Sequence, residues 1–314
     1  MTQTSIAEVV RSGLSARVKN LPAWLLYDET GSVLFDEITR LPEYYPTRVE
    51  RSIFAQYADE MLLAAANGRH LTLIELGAGT ADKTRVLLAA LIRLQGDSDY
   101  VPVDVSVSAL HVAEQRIAAE LPRIRVRSLV CETEEVPEAL RAIEGRKLVL
   151  FIGSSIGNYD EDAAVALLSG VANGLNPGDM LLLGTDMRKE LKVLLPAYDD
   201  AAQVTAAFNR NLLVRLNAEL SANFDVAQFK HLARWNEEKS RVEMHLQSAC
   251  VQSAHIGALD VNVHFDEGET IHTESSVKYD ADMVERMLVR SGFRSERTFS
   301  DPDGWFAVHL AKVI

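Results

Sequence analysis

Between residues 70 and 188, short apolar runs alternate with segments whose apolar residues recur at helical spacing. The runs, which predict strands, are 70–76, 100–105, 124–130, 147–152 and 179–184. The intervening segments, which predict helices, are 82–94, 107–120, 136–143 and 161–173. Continuous apolar strands between amphipathic helices indicate a parallel sheet covered on both faces. The fold class is therefore predicted to be α/β, with a doubly wound sheet whose second strand is made irregular by Pro102.

The end of the chain again shows helical spacing followed by short apolar runs. Residues 280–291 predict a helix that Gly292 ends, and strands are predicted near 294–299 and 306–313. The turn between these strands reads DPDG (301–304), which predicts an antiparallel hairpin. By fold-level analogy, a doubly wound sheet closed by such a hairpin is typical of Rossmann-like class I methyltransferases.

The pattern changes between these two parts of the chain. Residues 189–235 look largely helical, and residues 240–278 show period-two alternation with a DEG turn at 266–268. The first fifty residues do not resemble the sheet domain, so they are expected to pack with this insertion. The predicted domains are a cofactor-binding domain, 49–188 with 279–314, and an α+β substrate-binding domain, 1–48 with 189–278.

Charge and composition exclude several classes of function. The net charge of −13 disfavours nucleic acid and anionic membranes as partners. No apolar stretch approaches the length of a membrane span, and the N-terminus lacks the single apolar block of a signal peptide. Two distant cysteines, and eight histidines without zinc-ligand spacing, indicate a reduced cytoplasmic setting and no metal site. The chain is expected to act as a monomer.

The first strand leads directly into a glycine turn, Glu75-Leu76-Gly77-Ala78-Gly79. Such a turn lets a ligand approach the backbone closely. Asp82 stands where a dinucleotide motif has its third glycine, which disfavours a NAD-dependent dehydrogenase. Glu75, Gly77 and Gly79 instead suit S-adenosylmethionine (SAM), which has a sulfonium and no pyrophosphate.

Two further residues are candidate cofactor ligands. Asp104 ends the second strand, where a carboxylate can accept hydrogen bonds from both ribose hydroxyls; otherwise it caps the next helix. Lys83 follows the glycine turn and could hold the carboxylate of the cofactor; otherwise it is a solvated helix residue.

The sequence resembles the L-histidine Nα-methyltransferases of ergothioneine biosynthesis, SAM-dependent enzymes that make hercynine. The matching segments, spread over residues 27–279, are YDETGSVLFDEITRLPEYYPTR (27–48), IELGAGTADKTRVLL (74–88), VPVDVS (101–106), FIGSSIGN (151–158), LLLGTDMRK (181–189), YDDAAQVTAAFNRN (198–211), ELSANFD (219–225) and TESSVKY (273–279). LPEYYPTR and YDDAAQVTAAFNRN are highly specific strings.

The resemblance implies a role for each residue that matches the family's site. Tyr44, Asn158 and Tyr198 would hold the amino-acid end of histidine, with Tyr44 and Asn158 orienting the reacting amine. Glu274 and Ser276 would hold the imidazole, with Met244 beside the ring. Residues that fall in matching segments without so definite a role are Gly153 and Thr205, assigned to the substrate, and Tyr27, assigned to the cofactor.

One segment departs from the family pattern. The family often carries Gly-Asp-Phe after the third strand, where the Asp meets the adenine amino group. This chain has Cys131-Glu132-Thr133-Glu134, so Thr133 is expected at the cofactor without a carboxylate to offer. Glu132 or Glu134 could take over the contact to the adenine.

Substrate choice is predicted from Glu274 and Ser276. They stand at i and i+2 of a strand-like segment, so both side chains face one side. A carboxylate and a hydroxyl can meet the two imidazole nitrogens as acceptor and donor. Together with the resemblance, which implies hercynine as the product, this makes trimethylation of free L-histidine the expected reaction. Alternatives are methylation of another free α-amino acid, such as tryptophan or tyrosine, or SAM binding without catalysis.

Overall fold

The computed structural model describes residues 3–79 and 81–314, with side chains from residue 6 onward. Met1 and Thr2, at the start of the predicted substrate-binding domain, and Thr80, in the glycine-turn segment, lie outside the described residues. The chain forms two compact units: the sheet unit, Pro46–Arg188 with Lys278–Ile314, and the insertion unit, Met1–Tyr45 with Lys189–Val277. The chain passes from one unit to the other after residues 45, 188 and 277, and the predicted domain boundaries come after residues 48, 188 and 278.

The described residues form ten α-helices and thirteen strands. In chain order, the α-helices are α1 Gln3–Ser15, α2 Glu29–Ile38, α3 Tyr45–Ala66, α4 Arg85–Gln95, α5 Val107–Glu120, α6 Val136–Arg141, α7 Glu161–Asn173, α8 Leu191–Leu194, α9 Val204–Glu219 and α10 Ala281–Arg290. The strands are β1 Leu71–Leu76, β2 Ser98–Asp104, β3 Ile124–Val126, β4 Leu129–Val130, β5 Arg146–Phe151, β6 Met180–Asp186, β7 Phe229–Asn236, β8 Arg241–Ser248, β9 Gln252–Ile256, β10 Val261–Phe265, β11 Thr270–Val277, β12 Phe293–Ser300 and β13 Phe306–Val313.

The sheet unit is built on one large sheet with strand order β12-β13-β6-β5-β1-β2-β3, to which β4 is added beside β2. β1 to β6 pair in parallel, and β13 runs antiparallel to β6 and β12. The chain winds from β1 toward β3 and then, from β5, in the opposite direction. Right-handed crossovers therefore place helices on opposite faces, and the order reverses between β1 and β5. The predicted doubly wound α/β fold with a terminal hairpin is confirmed.

The centre of this sheet holds the core of the unit. Leu73, Leu148, Leu182 and Leu310 lie on four strands and are fully buried. Burying one such side chain stabilises the fold by roughly 1.5–3 kcal/mol. Among the described residues, no helix combines the length and apolar character of a membrane span.

The predicted third strand, 124–130, is wrong as a single strand. The structure has two short strands there, β3 and β4, which both pair with β2. Tyr100 and Asp104 turn their carbonyls toward these strands, accepting from Arg127 and Cys131. In a parallel strand, alternate residues bond to the same side, so Pro102 faces the gap between β3 and β4. Because Pro102 has no N–H to donate, the neighbouring strand breaks at that point.

The DPDG turn forms the predicted hairpin between β12 and β13. Asp301 accepts hydrogen bonds from the backbone of Asp303 (3.0 Å) and Phe306 (2.8 Å). Gly304 has φ of 66° and donates its N–H to the Asp301 carbonyl. The turn is thus specified by an Asp side chain and by a glycine in the left-handed region.

The insertion unit contains two antiparallel sheets, β11-β8-β7 and β10-β9. Helix α9 packs against α2, β7 and β8. The prediction of a largely helical stretch up to residue 235 is wrong for β7, Phe229–Asn236. β7 is an edge strand of its sheet, and its full-length antiparallel pairing with β8 satisfies the backbone groups on one side of it.

Candidate active site

The glycine turn lies at the carboxyl end of β1, beside the reversal point of the sheet, where open α/β sheets bind ligands. Gly77 donates its N–H to the Val103 carbonyl (2.8 Å). Gly77 and Gly79 have φ of 65° and 52°, and a Cβ on either would meet no atom within 4 Å. The turn therefore needs glycine for its backbone conformation, and open space adjoins both residues.

Asp104, at the end of β2, is held by backbone donors. One oxygen accepts from Gly79 N (3.0 Å), and the other accepts from Ser106 N (2.9 Å). The predicted alternative, a cap of the next helix, falls instead to Ser106, whose hydroxyl accepts from Ala109 N. Each carboxylate oxygen of Asp104 keeps a second lone pair, as a ribose diol requires.

Glu75, predicted at the cofactor, points into the protein. Its carboxylate accepts hydrogen bonds from the Thr84 hydroxyl (2.6 Å) and the Tyr100 phenol. Burial raises the pKa of Glu75 to about 7, against the opposing effect of these two donors. Glu75 therefore ties β1 to β2 and to the start of α4, which places it behind the glycine turn.

A cavity of about 160 Å³ lies at the carboxyl ends of β1, β2, β4 and β5. Among its lining residues are three that the sequence assigned to the cofactor, Gly77, Asp104 and Thr133. Glu132 forms a capping box with Glu135, so its carboxylate is committed to the backbone of the 3-10 turn 133–135. Burial and then the charge of Glu134 raise the pKa of Tyr159, another lining residue. Glu134 is thus the better placed of the two candidate carboxylates.

Lys83 does not stand as a solvated helix residue. Its ammonium donates to Glu50 (2.9 Å), a fully buried carboxylate on α3. The other oxygen of Glu50 accepts from the backbone N–H of Gly153 (2.7 Å). The structure thus brings the predicted residues Lys83 and Gly153 together through a residue that sequence reasoning missed. A charged residue in a helix gives no sequence signal of burial.

Asn158, predicted at the reacting amine, ends a short 3-10 helix, Ser155–Asn158, that follows β5. Its side chain is exposed, while Ile156 and Gly157 beside it are buried. Asn158 therefore lies on the surface of the sheet unit, in the segment after β5 that also holds Gly153.

The insertion unit carries an aromatic cluster: Tyr27, Phe35, Tyr44, Tyr198 and Phe208. Ring centroids of contacting pairs lie 5.4–6.4 Å apart, mostly edge to face. Tyr27 keeps 37% of its surface exposed, but desolvation of its phenol among these rings, and then the charge of Glu274, raise its pKa. Tyr27 thus lies with predicted substrate residues of the insertion unit, and its assignment to the cofactor stays a prediction. Phe35 and Phe208 were not predicted.

The adjacent tyrosines of LPEYYPTR have different partners. Tyr44 contacts Phe35 and Tyr198 in the aromatic cluster. Tyr45 is buried, and its phenol oxygen accepts a hydrogen bond from Lys189 (2.7 Å). Tyr44 therefore stands beside other candidate substrate residues of this unit.

The predicted imidazole-binding residues also come together. Tyr198 donates its O–H to the Ser276 hydroxyl (2.8 Å). Glu274 pairs with Met244 across β11 and β8, just after a register shift between His272 and Glu274. Cross-strand partners have side chains on the same face. Glu274, Ser276, Met244 and Tyr198 thus form one patch beside the aromatic cluster.

Asn209 supports this patch from α9. It is fully buried, donates to the His245 carbonyl (3.1 Å) and accepts from the Thr273 hydroxyl (2.7 Å). Thr205, one turn earlier, is also buried, and its backbone N–H donates to Asp200 (2.7 Å). Although burial opposes it, the backbone hydrogen bonds of Thr205 and Val204 lower the pKa of Asp200. The specific string YDDAAQVTAAFNRN therefore builds both the start of α9 and the support of two strands.

The reversal point, the glycine turn and the carboxylate of the second strand define a Rossmann-like methyltransferase. The profile of the family described as "Histidine-specific methyltransferase, SAM-dependent" matches residues 6–313. The chain belongs to this family of SAM-dependent methyltransferases.

Three curated relatives illustrate the range of similarity. The histidine N-alpha-methyltransferase of Mycolicibacterium smegmatis is 44% identical, over 96% of this chain and 93% of the relative. Ergothioneine biosynthesis protein 1 of Schizosaccharomyces pombe is 32% identical, over 73% of this chain and 30% of the relative. The L-tryptophan methyltransferase trpM of Psilocybe serbica is 28% identical, over 84% of this chain and 80% of the relative. Of these three, the histidine enzyme is the most similar, and the similarity spans almost the whole chain.

Proposed function

We propose that this protein transfers three methyl groups from SAM to the α-amino group of free L-histidine, giving hercynine for ergothioneine biosynthesis. The observation that carries the proposal is the patch of Glu274, Ser276, Met244 and Tyr198 beside the aromatic cluster, in a member of a histidine-specific family. We further propose that the protein acts in the cytoplasm as a monomer.

The patch offers both polar contacts that an imidazole needs. A neutral imidazole has one nitrogen that donates and one that accepts. The Glu274 carboxylate would accept from the first, and the Ser276 hydroxyl would donate to the second. Tyr198 donates to the Ser276 oxygen, so the Ser276 hydroxyl is the acceptor in that hydrogen bond. Met244, which is buried and is the cross-strand partner of Glu274, would contact the apolar part of the ring.

The acceptor nitrogen must reach the reaction as a neutral amine. With a pKa of about 8 or above, a free α-amine is about one-tenth neutral or less at pH 7. A neighbouring sulfonium lowers the pKa of the amine, since like charges disfavour the ammonium form. Tyr44 and Asn158 would then orient the amine by hydrogen bonds. Positioning alone can supply a large part of the rate.

The residues of the sheet unit fit SAM. Asp104 offers a lone pair on each oxygen for the ribose, the cavity beside Thr133 would take the adenine, and Lys83 would hold the carboxylate. When bound, SAM would supply an electrophilic methyl group, which the lone pair of the amine attacks while the bond to sulfur breaks and S-adenosylhomocysteine leaves; the methylated amine loses a proton before the next round. Methylation stops at three because the nitrogen then has no lone pair, and aromatic faces such as Tyr44 tolerate the resulting cation.

Replacing Glu274 with Ala tests the proposed substrate site. A charge-assisted hydrogen bond contributes roughly 1.5–3 kcal/mol, so Glu274→Ala should lower kcat/KM for histidine about tenfold or more. The matched control is Glu267→Ala, an exposed carboxylate in the turn before β11, which should leave kcat/KM unchanged. Steady-state kinetics with histidine provides the measurement. Equal values for wild type and Glu274→Ala would remove Glu274 from the site.

A second candidate substrate is another free α-amino acid, which the similarity to an L-tryptophan methyltransferase favours. Glu274 and Ser276 argue for a ring with two polar nitrogens, because a phenol or an indole would leave one of these groups unpaired. Calorimetric titration with histidine, tryptophan and tyrosine, in the presence of S-adenosylhomocysteine, separates the candidates. Histidine should bind most tightly; tighter binding of tryptophan or tyrosine would support the second candidate.

A further inference from the structure

Glu50 is a fully buried carboxylate that lies away from the patch and from the glycine turn in sequence. From α3 it reaches two other parts of the sheet unit. One oxygen accepts from the Lys83 ammonium (2.9 Å), and the other accepts from Gly153 N (2.7 Å). A buried charge is costly unless it is paired and hydrogen-bonded, and Glu50 is both.

Two glycines make room for this arrangement. A Cβ on Gly184 of β6 would lie 2.3 Å from the Glu50 carboxylate. A Cβ on Gly153 would lie 2.5 Å from the Lys83 ammonium, and Gly153 has φ of 79°. The carboxylate and the ammonium are thus fixed by close backbone packing, and no larger residue fits at either glycine without displacing them.

We propose that Glu50 is a positioning residue of the cofactor site: its carboxylate holds the Lys83 ammonium at the carboxyl end of the sheet, ready to bind the carboxylate of SAM. This inference rests on the cofactor site of the proposed function. A lysine side chain has four rotatable bonds and about 2 kcal/mol of rotamer entropy, so an unheld ammonium would bind less tightly. The Lys83 side chain remains about one-quarter exposed, so one face stays accessible to a ligand.

The electrostatics of the glycine turn support this role. The charges of Lys83 and Glu50 both act on the buried Glu75, with Lys83 lowering its pKa and Glu50 raising it. The charges of Glu50, Glu75 and Lys83 therefore act on one another behind the turn. Removing Glu50 takes away the buried counter-charge of Lys83, and the Lys83 ammonium is then no longer held in its present position.

Calorimetry with SAM and with S-adenosylhomocysteine tests the inference on wild type, Glu50→Gln, Lys83→Met and the double variant. Glu50→Gln keeps the size and an acceptor for Gly153 N, but its amide turns a donor toward Lys83. We expect each single variant to weaken binding of both ligands about tenfold. The double variant should bind no more weakly than Lys83→Met, because Glu50 acts through Lys83.

Asp59→Asn is the matched control. It removes an exposed carboxylate from the same helix, where Asp59 pairs with Arg93. It should leave cofactor binding unchanged. Kinetics adds a second readout: Glu50→Gln should raise KM for SAM with little change in kcat, which general loosening of the fold would not produce. If Glu50→Gln does not fold, Glu50→Asp is used in its place. Aspartate keeps the charge, but its side chain is one methylene shorter, so its carboxylate lies farther from Lys83 and binding of both ligands should again weaken.

Unchanged binding in the Glu50 variant, or losses that add in the double variant, would overturn the inference. A wild type that binds neither ligand would overturn it together with the proposed function. A wild type that binds S-adenosylhomocysteine but does not methylate histidine would overturn only the proposed substrate. The results expected for Glu50 and Lys83 would then still hold.

Discussion

Burial decides what the Glu75 carboxylate does. Its position, two residues before the first glycine, suggests a cofactor ligand, yet its oxygens accept from Thr84 and Tyr100 inside the sheet unit. The spacing in sequence shows that an acid belongs at the turn, but it does not show which way the side chain points. Glu50 is the opposite case, because a buried acid on a helix leaves no sequence signal until its partners, Lys83 and Gly153, are seen.

Glu75 also makes stability depend on pH. Its pKa is about 7 in the folded protein and 4.5 in the unfolded chain. Between these values the unfolded chain gives up a proton that the folded protein keeps, so this contribution to stability falls as pH rises from about 4.5 to 7. The whole change corresponds to about 3 kcal/mol.

Urea unfolding of wild type and Glu75→Gln at several pH values measures this contribution. The free energy of unfolding of wild type should fall relative to that of Glu75→Gln as pH rises from about 5 to about 7. The half-buried His272 and the buried His309, with pKa values lowered to about 4, act in the opposite direction but equally in both proteins. Parallel pH profiles for the two proteins would contradict the assignment.

At the scale of elements, single residues set where strands end. The apolar pattern predicts a strand over 124–130, but Pro102 on the neighbouring strand splits it. That effect depends on which side of β2 the missing N–H faces, which requires the register of the sheet. In the same way, the local pattern predicts helix over the residues of β7, and their pairing with β8 outweighs that pattern.

Gly153, at the end of β5, provides a prediction at this scale. Gly153→Ala adds a Cβ 2.5 Å from the Lys83 ammonium, at a φ of 79°. We expect binding of S-adenosylhomocysteine to weaken at least tenfold, measured by calorimetry, because the ammonium must move. Gly145→Ala, at the other end of β5, is the control. Gly145 also has a positive φ, 86°, but a Cβ there would meet no atom within 4 Å. Equal binding by both variants would contradict the role given to the contact between Gly153 and Lys83.

At the scale of the whole molecule, the sequence indicates that an insertion is present. It does not indicate which residues on either side of the insertion contact each other. The change in pattern near 189 and 278 gives the predicted boundaries. Within the sheet unit, the chain segments that precede and follow the insertion are joined to each other. Met187 and Tyr279 form a parallel bridge, and Lys278 pairs with Asp186 (2.6 Å). This pairing joins residues 92 apart, and no local pattern reports such a contact.

The Lys278–Asp186 pair is buried on both sides, so breaking it should be costly. Lys278→Met would leave the Asp186 charge without its lysine, and the free energy of unfolding should fall by about 3–5 kcal/mol. Adding Asp186→Leu should recover much of that loss. Lys192→Met, at an exposed pair with Glu190, should cost no more than about 1 kcal/mol. Urea denaturation measures all four proteins, and equal losses for the two lysine variants would contradict the account.

The central claim is the identity of the acceptor and the number of methyl groups it receives. Mass spectrometry of a reaction containing the protein, SAM and free L-histidine tests it most directly. The account predicts histidine with three added methyl groups, all on the α-nitrogen, as fragmentation of the product would show. Histidine that stays unmodified, stops at one methyl group or carries a methyl group on the imidazole would contradict it.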